Sequence, residues 1–229
     1  MNNFSIVIPV YNEEDNIANL YSEIKNSLPE NMIYNIIFVN DGSTDNSKNI
    51  IEKIKKDPKV FSIENKINSG QSYSIHKGVI NSPHDTIITI DGDGQNDPND
   101  INELLKLYNS KENIKLVGGI RVNRKDTKVK IISSYVANKI RNFFLKDNCT
   151  DTGCALKVFS KEIFISFEFF DGMHRFLPAL FAGNGYECMY LNVNHRHRTA
   201  GYSKYGVSNR LFKGILDIYK VKKMINKND

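Results

Sequence analysis

The sequence predicts an α/β protein with a mainly parallel central sheet and helices on both faces, and three observations predict it. Short runs of β-branched and aliphatic residues alternate with segments whose apolar residues recur at helical spacing, and this strand and helix unit occurs four times within the first 108 residues. The strand runs are apolar almost throughout rather than alternating, as in strands covered on both faces. Polar loops rich in Asp, Asn, Gly and Ser separate each strand from its helix, which is the order of α/β units.

Taken in order, residues 4–10 form the first strand, and residues 16–28 a helix with Ile17, Leu20, Ile24 and Leu28 on one stripe. The later pairs are 36–39 with 45–54, 60–63 with 70–80, and 86–90 with 97–108. Ligands of such sheets bind beyond the carboxyl ends of the strands, so the loops of interest are 9–15, 40–45, 65–71 and 91–98. The second half is less regular. It reads as a strand at 115–119, a basic helix over 128–146, an apolar segment at 156–170, a helix after Met173, a strand at 186–193 and a last amphipathic helix from Val207. No linker rich in Pro, Gly or Ser divides the chain. The expectation is a single domain, 1–229, with lobes of about 1–120 and 121–206 and a C-terminal basic amphipathic helix over 207–229.

Composition limits the function classes. With 229 residues, 40% hydrophobic and 25% charged, the chain can bury a sizeable core, which excludes a disordered or fibrous protein. The net charge of +5 is unevenly placed: from Arg196 onward nine basic residues face two acidic ones, so the first 195 residues sum to −2. Such a chain is not a uniformly basic nucleic-acid binder but a near-neutral body with one cationic end, which could face phosphates, an anionic membrane surface or an acidic partner. Three cysteines without a CxxC pair indicate neither a disulfide framework nor zinc, and point to a reducing compartment. The first residues lack an export signal and no apolar run is long enough to span a bilayer, so a cytoplasmic location is expected.

Three loops carry chemistry. In Asp91-Gly92-Asp93-Gly94-Gln95, carboxylates two apart beyond a strand end can converge on a hard divalent cation; the alternative is an ordinary acidic turn. In Asn40-Asp41-Gly42-Ser43-Thr44-Asp45, Ser43 or Thr44 is expected to cap the next helix, and Asp41 could accept hydrogen bonds from a nucleotide base. The loop Pro9-Val10-Tyr11-Asn12-Glu13-Glu14 offers a ring and carboxylates. Neither of the last two is a glycine-rich phosphate cradle.

These loops, on successive strand ends in this order, resemble the family 2 glycosyltransferases of GT-A fold. The stretch 91–98, Gly119-Ile120-Arg121, Asp151-Thr152-Gly153, 173–180 and the segment 194–206 are similar to the polyprenyl-phosphate branch of that family, the dolichol-phosphate mannose synthase type. The resemblance implies inverting transfer of a sugar from a UDP- or GDP-linked donor to a polyprenyl phosphate. It implies Mg2+ or Mn2+ on Asp91, Asp93 and Gln95, and a nucleotide sugar held by Pro9, Tyr11, Glu13, Asp41, Asp91 and Asp93. Catalytic roles fall to Asp93, Arg121 and Asp151, with Asp151 orienting the acceptor, acting as a base, or serving only as a cap or salt-bridge partner. Acceptor or diphosphate binding falls to Arg121, Lys130, Arg196, Arg198, Ser203 and Lys204.

The lobes are then a nucleotide-sugar lobe and an acceptor lobe, with peripheral association at the inner face of the cytoplasmic membrane. A small integral membrane partner and homo-oligomerisation are compatible with it. His174 and Arg175 could line the acceptor site, although a histidine packed at a lobe boundary is the simpler reading. The rival acceptor is a soluble molecule or polysaccharide, for which Asp171 is the candidate base; the rival class is a non-catalytic nucleotide-sugar sensor.

Overall fold

The computed structural model describes residues 3–122, 128–197 and 208–225. The strands are β1 (Phe4–Val10), β2 (Tyr34–Asn40), β3 (Val60–Glu64), β4 (Thr86–Thr89), β5 (Ile114–Arg121), β6 (Lys157–Ser160) and β7 (Glu187–Val193). The helices are α1 (Glu14–Ser27), α2 (Ser47–Ile54), α3 (Gln71–Ile80), α4 (Ile101–Tyr108), α5 (Lys128–Leu145), α6 (Lys161–Ser166), α7 (Leu177–Gly183) and α8 (Ser208–Ile225).

Among the described residues one seven-stranded sheet runs in the order β3-β2-β1-β4-β6-β5-β7. β6 pairs antiparallel with both β4 and β5, and the remaining pairings are parallel. The apolar segment expected at 156–170 thus resolves into this short reversed strand and α6. Helix α4 is preceded by a 3-10 turn, Pro98–Asp100, capped by the Asp97 side chain.

The pleat explains why the strands read as continuously apolar. Ile6, Ile8 and Val10 point into a core with Ile17, Leu20 and Ile24 of α1 and Leu104 of α4. Val7, between them, points into a second core with Ile75 and Val79 of α3, Phe164 of α6 and Phe181 of α7. Each such side chain contributes roughly 1.5–3 kcal/mol by leaving water, and neither face can do without its helices. The chain leaves β1 toward β2 and β3 on one side and returns to β4 on the other, which opens a crevice at the carboxyl ends of β1 and β4. Val10 is level with Asn40, and Asn40 with Glu64, so the loops after the first three strands emerge at one height. Helix α8 lies against α5 and α7.

Candidate active site

The loops after β1 and β2 are bound to each other. Ser43 Oγ accepts from the Asn12 amide (2.9 Å), Asn12 Oδ1 accepts from the Thr44 amide (2.7 Å), and Ser47 Oγ accepts from the Glu13 amide (3.0 Å). Ser43 and Thr44 therefore serve Asn12 rather than capping α2 as expected; Asp45 Oδ1 takes the Ser47 amide instead (3.0 Å). Asn12 sits at φ 53°, a left-handed conformation that Asn tolerates better than most residues. Buried Glu13 accepts from Asn16 Nδ2 (2.8 Å), while Tyr11 and Pro9 are half-buried at the end of β1.

Asp41 lies at the tip of β2 as expected, and it is buried. Its carboxylate accepts from Asn65 Nδ2 (2.8 Å), the Ser69 amide (2.9 Å) and the Gly70 amide (2.8 Å), so it holds the loop after β3 in place. A carboxylate has about four acceptor positions, so three such donors do not exhaust it. Gly42 is required beside it: at φ 68°, a Cβ would stand 2.7 Å from the Ile67 carbonyl carbon.

The loop after β4 sits over the crevice. A Cβ on Gly92 would stand 3.0 Å from the Pro9 carbonyl oxygen, and Gly94 adopts φ 72°; these two positions let the acidic loop fold against β1. Asp91 Oδ1 accepts from Gln71 Nε2 (2.7 Å), and Asp93 Oδ1 accepts from the Gln95 amide (3.1 Å). The loop is fastened to the segment after β7. Asn96 bridges His195, the Arg196 amide donates to the Gln95 carbonyl (2.9 Å), and Gln95 Nε2 donates to the Arg196 carbonyl (3.3 Å).

The residues fit Mg2+ or Mn2+. Two carboxylates and the Gln95 amide oxygen are hard oxygen donors, and Gln71, the Gln95 amide and the Arg196 carbonyl orient them. Among the described residues no group of three or more His, Cys, Asp or Glu side chains is placed to hold a metal ion by itself.

Arg196 has a different environment from the one expected. Its guanidinium pairs with Glu23 on α1 (2.7 Å) and Asp97 (2.7 Å), pinning the segment after β7 to the first half. Burial alone would raise the Asp97 carboxyl; the Asn99 amide and Arg196 overcome it and hold it below its ordinary value. Arg121, at the carboxyl end of β5, forms a fork with buried Asp151: Nε to Oδ2 at 2.7 Å, Nη2 to Oδ1 at 2.8 Å, with the Arg121 amide also on Oδ2 at 3.1 Å. A Cβ on Gly153 would stand 2.9 Å from Nη2, so glycine there leaves room for the fork. Of the readings open for Asp151, this geometry matches the salt-bridge partner.

The structure brings Pro9, Tyr11, Glu13, Asp41, Asp91, Asp93 and Gln95 to one sheet edge. Arg121 follows along it, because the Val122 amide donates to the Val193 carbonyl at the end of β7 (3.1 Å). Arg198, Ser203 and Lys204 lie outside the described residues, as does the side chain of Lys130 in α5.

Sequence reasoning missed the first residues of α3. Gly70 donates to Asp41, Gln71 donates to Asp91, and Ser72 Oγ shares a hydrogen bond with His174 Nδ1 (2.6 Å) while accepting from the Gly172 amide (2.8 Å). A Cβ on Gly70 would stand 3.9 Å from Asp171 Oδ1. One helix end thus joins both acidic loops to the 171–174 segment. The available signal was Gln and Ser in the first turn of a helix that follows one of the strand-end loops. His174 of the second half is thus packed against α3 of the first.

The α/β sheet with its acidic loop at the switch point is a GT-A-like fold, and solved structures share it. Glucosyl-3-phosphoglycerate synthase from Mycobacterium tuberculosis in complex with Mn2+, UDP and glucosyl-3-phosphoglycerate matches with TM-score 0.73 and 17% identity, over 95% of this chain and 80% of that one. The same enzyme in complex with Mg2+ and UDP matches with TM-score 0.72 and 17% identity, over 95% and 79%. At that identity the likeness is one of fold. The chain belongs to glycosyl transferase family 2, whose model matches residues 5–167. It is similar to dodecaprenyl-phosphate galacturonate synthase of Rhizobium johnstonii, at 32% identity over 95% of this chain and 65% of the relative. It is likewise similar to undecaprenyl-phosphate 4-deoxy-4-formamido-L-arabinose transferase of Shewanella sediminis, at 33% identity over 90% and 62%. The chain therefore spans a little under two thirds of the length of these relatives.

Proposed function

We propose that the chain transfers a sugar from a UDP- or GDP-linked donor to a polyprenyl phosphate, with inversion and with Mg2+ or Mn2+. The observation that carries this reading is the Asp91-x-Asp93-x-Gln95 loop at the β1/β4 crevice, oriented by Gln71 and fastened to Arg196, in a family 2 chain similar to polyprenyl-phosphate sugar transferases. Asp91, Asp93 and Gln95 hold the cation, which when bound neutralises the negative charge that develops on the leaving diphosphate. Asp41, Glu13, Tyr11 and Pro9 receive the base and ribose. Arg121, its guanidinium plane set by Asp151, meets a phosphate of donor or acceptor, and Arg198, Lys204, Ser203 and Lys130 complete the cationic side. The acceptor phosphate is already an anion at neutral pH, so positioning matters more than a general base.

A lipid acceptor requires a bilayer surface. Val136, Ile140, Phe143 and Phe144 of α5 and Leu216 and Tyr219 of α8 are exposed, and Lys222 stands over the Phe144 ring at 5.8 Å. Among the described residues no helix is long and apolar enough to cross a membrane. The two packed helices instead suit peripheral docking on the anionic inner leaflet. Incubation with a panel of labelled nucleotide sugars, short polyprenyl phosphate and Mg2+ or Mn2+ tests the reading. Lipid-linked product that disappears with EDTA supports it. Donor hydrolysis, or no turnover across the panel, overturns it. A water-soluble glycoside would favour the second reading, a soluble acceptor, for which Asp171 beside Gly70 is the available carboxylate.

A further inference from the structure

The second half contains a buried arginine that the proposed chemistry does not use. Arg141 of α5 is 4% exposed, and Asp147, just beyond the helix, is 2% exposed. All five guanidinium N–H positions are engaged. Nε and Nη2 donate to the Asp147 carboxylate (3.1 and 3.0 Å), Nη1 to Asn138 Oδ1 (2.7 Å) and Thr152 Oγ1 (2.6 Å), and Nη2 also to the Cys149 carbonyl. Further bonds tie the same loop: the Cys149 amide to Asp147 Oδ1 (3.1 Å), Asn138 Nδ2 to the Thr150 carbonyl (2.8 Å), and the Tyr190 hydroxyl to the Asp147 carbonyl (2.6 Å).

The clamp holds a backbone that turns twice into the left-handed region. Lys146, just past the end of α5, and Asn148 adopt φ 53° and 54°, left-handed conformations that asparagine tolerates and that lysine holds less readily. Stability alone is a poor reason for a buried ion pair, because apolar side chains of similar volume often do as well. What an arginine adds is direction: its planar fork fixes several groups at once. The last groups so fixed, the Cys149 carbonyl and Thr152 Oγ1, flank Asp151, whose carboxylate sets the Arg121 fork.

We propose that Arg141 and Asp147 are positioning residues for sugar transfer, acting through the 147–153 loop on Asp151 and, through it, on the plane of the Arg121 guanidinium. This rests on the reading of Arg121 as a phosphate-facing cation. It also links α5, whose other residues Val136, Ile140 and Phe143 are exposed, to the cationic side of the site.

The test combines two readouts on the full chain. The first is the 15N side-chain NMR signal of the Arg121 Nε–H, assigned by its loss in Arg121→Ala. It is expected to be sharp and slowly exchanging in the wild type, and broadened or fast-exchanging in a folded Arg141→Gln protein. The second is a double-mutant cycle in the transfer assay. Arg141→Gln is expected to lower kcat about 10-fold with donor KM within about twofold, and to add less than about twofold in the Arg121→Ala background. An unchanged Arg121 signal, or multiplicative effects of the two substitutions, would overturn the proposal. Where Arg141→Gln does not fold, Thr152→Val removes the hydroxyl that accepts from Arg141 and donates to Asn138, at nearly constant volume, and is read the same way, with about threefold expected. Absence of any wild-type transfer would sink the proposed function, while the NMR readout would still decide the positioning claim.

Discussion

The two sides of the candidate site differ in which groups the visible contacts hold. On the side proposed for the donor, carboxylates accept from neutral groups: Asp41 from Asn65 and two backbone amides, Asp91 from Gln71, Asp93 from the Gln95 amide. On the second side arginines are held by carboxylates, Arg121 by Asp151 and Arg141 by Asp147. An arginine whose plane a carboxylate sets, as Asp151 sets that of Arg121, suits the phosphate contact proposed for it, whereas Arg141, with every N–H engaged, acts only through the loop it holds.

Breaking the donor side should cost most. Asp93→Ala or saturating EDTA is expected to lower transfer by about 10³-fold, roughly 4 kcal/mol of transition-state stabilisation, measured as labelled lipid product per minute. A residual rate within tenfold of wild type would mean that the acidic loop is not where the diphosphate charge is met.

The cationic side is expected to respond less strongly but more specifically. Arg121→Lys keeps the charge and loses the fork with Asp151, and transfer should fall about 10- to 100-fold with little change in donor KM. Full activity in Arg121→Lys would show that charge alone suffices and that the fork has no part in transfer. Between these in mechanism, though smaller in rate, is Gly42→Ala. The strain of φ 68° and the close approach to Ile67 should lower stability by about 1–3 kcal/mol and raise donor KM, read by thermal melting and initial rates.

How much of this was legible in the sequence divides along the same line. The first four strands and their loops could be read because each is local: Ile6 to Val10 are apolar together, and Asp91, Asp93 and Gln95 are spaced along one turn. The β6 strand was not, since the four residues Lys157–Ser160 are too few to show a period and reverse direction between two parallel neighbours. Partner choice among polar side chains was also hidden. Ser72 meets His174 across 102 positions, and Arg196 meets Glu23 across 173, and no local pattern encodes such pairings. For the same reason the resemblance implies the arginines as phosphate ligands without showing which carboxylates hold Arg121 and Arg196.

Arg196 lies between the two sides and supplies the smallest effect. Burial would raise the Asp97 carboxyl, but the Asn99 amide and, after it, the pairing with Arg196 hold it below its ordinary value of about 3.9. A depressed carboxylate contributes stability that is present above the unfolded value and is lost as pH falls through the folded one. Melting temperature should therefore drop as the protein is acidified below about pH 4, and Asp97→Asn should remove part of that dependence while costing about 1 kcal/mol near neutrality, because Arg196 is one-third exposed and solvent screens the pair. The same substitution loosens the segment whose carbonyl and amide hold Gln95, so EDTA-sensitive transfer should need more Mg2+ for half-saturation. An unchanged Mg2+ requirement in Asp97→Asn, with the melting shift present, would confine Arg196 to holding the fold and leave the orientation of Gln95 to the backbone bridge at Asn96 and His195.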